Sequence, residues 1–167
     1  SYAVSLHKPD YWDIRDVVAI VSSEPKKTSS TKGQESASTS PFYAMRLKGM
    51  KNRNNSLKKA LNEKDFKSFG EIVESDALEL HAIMLTSRPS LIYWTTGTLK
   101  IMKLVGQWRG EGLQAYFTIN TGQDIHLIVQ AKDVEKLEGK LKTIEDIKTI
   151  IINEPAHGAR LITADLF

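Results

Sequence analysis

The sequence predicts an α+β fold on the ferredoxin-like, split βαβ plan, with additional helices inserted. Three observations lead there. Ile14–Val21 (IRDVVAIV) is a dense β-branched run of the kind that forms a strand buried on both faces. Residues 114–129 (QAYFTINTGQDIHLIV) alternate apolar and polar on either side of a Thr-Gly-Gln-Asp turn, the pattern of a hairpin. Between and after these stretches the spacing is helical until a last β-branched run, so the order is strand, helices, strand, strand, helix, strand.

A chain of 167 residues with 41% hydrophobic and 26% charged side chains is expected to form one globular domain, residues 1–167. The net charge of +3 is too small to indicate nucleic-acid binding without clustering on one face. With no cysteine, disulfide and thiolate chemistry are excluded, which fits a reducing, cytoplasmic setting. No apolar run is long enough for a transmembrane helix, and no secretory pattern is visible. The first residue is Ser1, and Tyr2–Leu6 already reads as a weak edge strand, so the chain is expected to begin inside something larger.

Residues 22–41 change character, being rich in Ser, Thr, Lys, Gly and Pro. They read as a flexible Ser/Thr/Lys surface loop or, more sharply, as an anion-binding lid. In the second reading Lys26, Lys27, Ser29, Ser30 and Thr31 offer phosphate donors and Gly33 is a hinge. Ser40 and Pro41 predict a helix start, with a helix from Phe42 to about Asn52 and a second short one over Ser56–Glu63. Arg46, Lys48, Lys51, Arg53, Lys58 and Lys59 form an acid-free basic patch there, read as a solvated helical face. Asp65 is placed to cap a long helix from Phe66 to about Thr86. Its buried stripe is Phe69, Val73, Ala77, Leu80 and Met84, and its wet side holds Glu71, Glu74 and Glu79. His81, near the end of this helix, reads as a structural histidine, and Pro89 ends the segment.

Thr98–Arg109 predicts a helix burying Ile101, Met102, Val105 and Trp108, closed by Gly110 and Gly112. In the hairpin, Gly122 is expected to take a backbone conformation other residues avoid. Thr118, Asn120, Thr121 and Asp124 crowd one end of it. Taken alone, such a cluster is a capped turn. Lys132–Leu141 reads as a helix, 144–152 as the last strand, and Asn153–Leu161 as a turn with an apolar tail.

Phosphate-loop, dinucleotide, nucleophile-elbow and zincin motifs are all absent, and the four histidines show no metal-site spacing, so no protein metal site is expected. Four stretches, however, resemble the mevalonate diphosphate decarboxylases. Lys26–Gly33 (KKTSSTKG) is similar to the family's KKxxSSTxG loop. Asp65–Tyr93 resembles its long helix with an HA pair (His81, Ala82). Tyr116–Asp124 (YFTINTGQD) is similar to YFTxDAGPN, and Pro155–Ala159 to the PGxGA ending. The resemblance implies the C-terminal domain of a GHMP-kinase-type protein whose ATP-binding N-terminal half lies outside this chain. It implies ATP and Mg2+ as cofactors and a phosphorylated mevalonate as small-molecule substrate. It also implies the missing half as a partner, a possible homodimer, no nucleic acid and no membrane. The implied reaction is phosphorylation of the tertiary 3-hydroxyl of mevalonate diphosphate, then loss of phosphate and CO2 to give an isopentenyl product. Carried over residue by residue, Asn120 stands where the family has its catalytic aspartate. Thr118, Thr121, Gly122, Ser29 and Ser30 fall at substrate positions, and Lys26, Lys27 and Thr31 at the phosphate lid.

Asn120 departs from that pattern, because an amide holds a hydroxyl but cannot take its proton. It fits a branch acting on 5-phosphomevalonate, a relative that phosphorylates without decarboxylating, or a degenerate or engineered site. Asp124, four residues on, offers a carboxylate or is an ordinary turn residue. A non-catalytic ligand-binding or dimerisation domain is the reading from another class.

Overall fold

The computed structural model describes residues 4–22 and 29–158. Its strands are β1 (Ile14–Ile20), β2 (Ala115–Thr118), β3 (Ile125–Gln130) and β4 (Thr149–Asn153). The helices are α1 (Ser30–Ala37), α2 (Tyr43–Glu63), α3 (Phe66–Thr86), α4 (Thr96–Gly110) and α5 (Val134–Leu141). The four strands form one antiparallel sheet in the order β2-β3-β1-β4, the arrangement of the split βαβ plan. The expected α+β class is therefore the observed one.

Strand alternation divides the sheet into two different faces. Val17, Ala19, Phe117, Ile119, Ile125, Leu127 and Val129 point into the main core, where Ile101, Val105 and Trp108 of α4 and Leu137 and Leu141 of α5 meet them. The predicted inner face of the hairpin and three of the four buried residues assigned to α4 are confirmed; Met102 is only half-buried. On the opposite face, Tyr116 packs in a smaller aromatic cluster with Trp12 and Phe66.

Helix α3 runs beside the free edge of β2 and closes it chemically. The Arg109 guanidinium holds Glu74 through two hydrogen bonds of 2.7 and 2.9 Å and also donates to the Ala115 carbonyl at 2.8 Å. Glu74 in turn accepts from the Phe117 N–H at 3.3 Å. An edge strand is thus paired with side chains in place of a neighbouring strand. Glu74 is consequently not on a wet side, as its helical position alone suggests. The close approach of α3 to β2 also explains Gly70, whose added Cβ would overlap the Tyr116 ring.

Several expectations change where tertiary contacts override local composition. Residues 30–37 of the expected loop form α1, with the Ser29 hydroxyl accepting from the Lys32 N–H at 3.3 Å as the N-cap. Gly33 is a contact residue in this helix, because a Cβ there would meet the Tyr93 hydroxyl at 2.6 Å. Lys26 and Lys27 lie outside the described residues. The two short helices expected over 42–63 are one continuous α2. Its Arg46 and Arg53 leave the basic patch to pair with Asp76 and Glu79 of α3. Asp65 caps α3 as expected, accepting from Ser68 N–H at 3.1 Å. The last strand starts only at Thr149 and runs one residue past the expected end, to Asn153, because Ile144 turns into the core behind α5. Val4–Leu6 is not a strand.

Gly70→Ala is expected to cost about 1–3 kcal/mol through overpacking against Tyr116. Gly49→Ala in α2, whose Cβ would meet nothing within 4 Å, should be neutral or stabilising by up to about 1 kcal/mol. Urea unfolding midpoints of the two variants compare these directly.

Candidate active-site wall

The turn between β2 and β3 is held by side chains from three directions. The Thr98 hydroxyl, fully buried at the start of α4, donates to the Gln123 carbonyl at 2.7 Å. Thr98 is itself fixed by a reciprocal capping box with Thr95. The Asp124 carboxylate accepts from the Val21 N–H at 3.2 Å, pinning the turn to the end of β1. The Ser30 and Thr121 hydroxyls lie 2.6 Å apart, joining the turn to the first residue of α1. Asp124 therefore does the structural work of a turn residue.

Ile119 is 1% exposed and anchored in the core, so its neighbours face the other way. Thr118 is half-buried and Asn120 is exposed to solvent, on the face shared with Tyr116. The Gly122 N–H donates to the Asn120 carbonyl at 2.8 Å. Gly122 does not have the positive φ expected of it; among the described glycines that conformation belongs to Gly112, at φ +92°. A Cβ on Gly122 would meet nothing within 4 Å, so the surface beside Asn120 is open.

The Ser30–Thr121 contact makes a seam where the N-terminus of α1 meets the hairpin bend, with Ser29 and Thr31 flanking it at the start of α1 and Asn120 and Gly122 flanking it in the bend, while Thr118 ends β2. A helix N-terminus lined with hydroxyls favours an anion, since its first N–H groups and the helix dipole both point outward. Among the described residues no group of three or more His, Asp or Glu side chains could hold a metal ion. Nor is any helix among them long and apolar enough to cross a membrane.

His81 sits beneath this seam, 2% exposed, with its ring centroid 4.6 Å from that of Trp94. His81 Nε2 and Trp94 Nε1 are both buried without a hydrogen-bond partner among the described residues. Burial holds the imidazole below its ordinary pKa, against a smaller upward pull from backbone groups of Asn120 and Ile119. His81 is therefore a neutral, buried support under the bend, consistent with the structural reading of the sequence.

One pairing escaped the sequence reading. His126 Nδ1 approaches Asp16 Oδ2 at 3.0 Å and Oδ1 at 3.1 Å, across 110 residues of chain. The Asp16 hydrogen bond raises the imidazole pKa despite partial burial. No local motif signals this contact, which only the β1–β3 register creates.

The model of the mevalonate 5-diphosphate decarboxylase C-terminal domain matches residues 16–159. The chain belongs to this family. Among curated relatives of the family domain, the diphosphomevalonate decarboxylase of Candida albicans is 30% identical over 140 residues, covering 82% of this chain and 39% of that protein. The phosphomevalonate decarboxylase of Haloferax volcanii is 24% identical over 128 residues, covering 75% of this chain and 40% of that protein. Among solved structures, the mevalonate diphosphate decarboxylase of Staphylococcus aureus superposes with a TM-score of 0.82 at 30% identity, over 90% of this chain and 45% of that one. The structure of MDDEF in complex with MVAPP, AMPPCP and magnesium gives a TM-score of 0.77 at 27% identity, over 86% of this chain and 45% of that one. The chain therefore spans less than half the length of these relatives.

The two histidines around the hairpin should affect stability with opposite signs. For His81 the folded pKa is depressed, so its contribution is present above the unfolded pKa and is lost as pH falls below it. For His126 the folded pKa is raised, so its contribution is present below the unfolded pKa and is lost as pH rises through the folded value. In urea unfolding, His81→Gln is expected to lose less stability than wild type between about pH 7.5 and about pH 5.5.

Proposed function

We propose that this chain is the C-terminal domain of an enzyme that decarboxylates a phosphorylated mevalonate in an ATP-dependent reaction. The 3-hydroxyl is phosphorylated first; phosphate and CO2 then leave to give an isopentenyl product for isoprenoid synthesis in the cytoplasm. The observation that carries this reading is the seam itself: in a member of this family, the hydroxyl-lined start of α1 is joined to the bend that presents Asn120.

In this reading Asn120 orients the 3-hydroxyl through its side-chain amide, while Thr118, Thr121 and Gly122 shape the wall beside it. Ser29, Ser30 and Thr31 face the phosphates at the α1 N-terminus, with Lys26 and Lys27 nearby in sequence. Mevalonate diphosphate is the first substrate to test. ATP supplies the phosphoryl group, and Mg2+ neutralises charge on its phosphates. Magnesium commonly binds through one or two carboxylates together with phosphate oxygens and water. The remaining wall of the cleft, with the nucleotide loop, would belong to an N-terminal half, and a homodimer is compatible with the domain.

Asn120 favours a second reading, in which 5-phosphomevalonate is the substrate and isopentenyl phosphate the product. One of the relatives above is a phosphomevalonate decarboxylase. Both readings require chemistry, unlike a purely ligand-binding or dimerisation domain.

Turnover of the full-length gene product with mevalonate 5-diphosphate and with 5-phosphomevalonate, followed as ADP and CO2 release, separates the three. Comparable ADP and CO2 yields support decarboxylation; binding of either compound with no ADP release identifies a non-catalytic domain. Asn120→Ala should lower kcat/KM on the preferred substrate by about tenfold or more, the loss of one hydrogen bond in the transition state. Unchanged kcat/KM would remove Asn120 from the site.

A further inference from the structure

The sheet face that carries Thr118 and Asn120 also carries a carboxylate-held imidazole. In the β2–β3 register Thr118 stands opposite His126, and in the β1–β3 register Val18 stands on its other side. Residues directly opposite in an antiparallel pair have Cβ atoms about 4.5–5.5 Å apart. Asn120, exposed to solvent, lies two residues beyond Thr118, with the buried Ile119 between them. The His126 and Asp16 side chains are 35% and 34% exposed, so the pair faces the open side of the sheet and not the core.

The dyad geometry sets the chemistry of the ring. Asp16, an acceptor when ionised, accepts a hydrogen bond from the Nδ1–H, so in the neutral ring Nε2 carries the lone pair. The charged groups acting on the ring are the carboxylates of Asp16 and Asp124. Its row-mates on β2 and β4, Thr118 and Ile151, carry no charge. Arg15, beside Asp16 in sequence, is paired with Asp13 and Glu154. Asp124 is committed to the Val21 N–H, and Asn120 is an amide. Among the described residues around Thr118, His126 is thus the side chain built to accept a proton.

Resting on the reaction proposed above, we propose that His126, held by Asp16, is the general base that accepts the 3-hydroxyl proton during phosphoryl transfer. The proton moves from the substrate oxygen to His126 Nε2. A bond forms between that oxygen and the γ-phosphorus of ATP, the bond from that phosphorus to the β,γ-bridging oxygen breaks, and ADP leaves. The resulting imidazolium is stabilised across the Nδ1–carboxylate hydrogen bond, which makes Asp16 a positioning residue. Asn120 then has only to hold the hydroxyl, a task its amide can perform.

The test measures kcat and kcat/KM against pH for the full-length gene product, with ATP and whichever mevalonate phosphate turns over. Wild type is expected to show an acidic limb in kcat/KM with an apparent pKa above that of an ordinary imidazole. His126→Gln should abolish that limb and lower kcat by about 10²–10⁴-fold. Asp16→Asn should move the limb to lower pH, because the carboxylate that raises the imidazole is gone. That shift distinguishes a base from a merely structural histidine, and it carries the test if His126→Gln fails to fold. His126→Gln activity within about twofold of wild type, or an unmoved limb in Asp16→Asn, would overturn the base assignment and leave the proposed reaction standing. Absence of any ATP-dependent turnover by wild type would instead overturn both.

Discussion

The arrangement turns on the immobilised bend between β2 and β3. A bend of this length, tied only to its own strands, has little to fix where its side chains point. Here a buried threonine of α4, a backbone N–H at the end of β1 and a hydroxyl of α1 each take one group of the bend. Ile119, sunk in the core, sets the parity that turns Thr118 and Asn120 outward. Each tie is an ordinary hydrogen bond worth about 1 kcal/mol net, so their value lies less in stability than in geometry. Position on this scale is what the proposed phosphoryl transfer would demand, since catalysis of that reaction is mostly placement and charge stabilisation.

The framework was legible where local signals and packing agree. Ile14–Val21 needed only its β-branched density, the hairpin its alternation, and α3 its Asp65 cap. The misses share a cause: a long-range contact outvoted local chemistry. The Ser/Thr/Lys composition around α1 reads as loop, yet Gly33 lets that segment press against Tyr93, and the packing supports a helix. Arg46 and Arg53 look like solvated cations until α3 brings Asp76 and Glu79 alongside. Within the candidate site, the hairpin residues and the serines of α1 were nameable one by one, but their meeting through Ser30 and Thr121 was not. The Asp16–His126 pair was invisible, because the strands that join its members are far apart in sequence.

The two histidines near the hairpin show how one side-chain type is given opposite characters. His81, walled in by Trp94 and the bend, is kept neutral by the cost of charging a buried ring. His126, half in water and bound to a carboxylate, is biased toward its charged form. The inert ring supports the bend from below while the responsive one stands on the open face.

The Glu74–Arg109 pair along β2 has a further consequence for how the chain behaves in company. By occupying the Phe117 N–H and the Ala115 carbonyl, it blocks two positions at which a passing polypeptide would otherwise dock by strand addition. In the folded chain the edge of the hairpin is thereby closed at these positions to pairing with another strand. One intramolecular ion pair thus serves as a guard against misassembly.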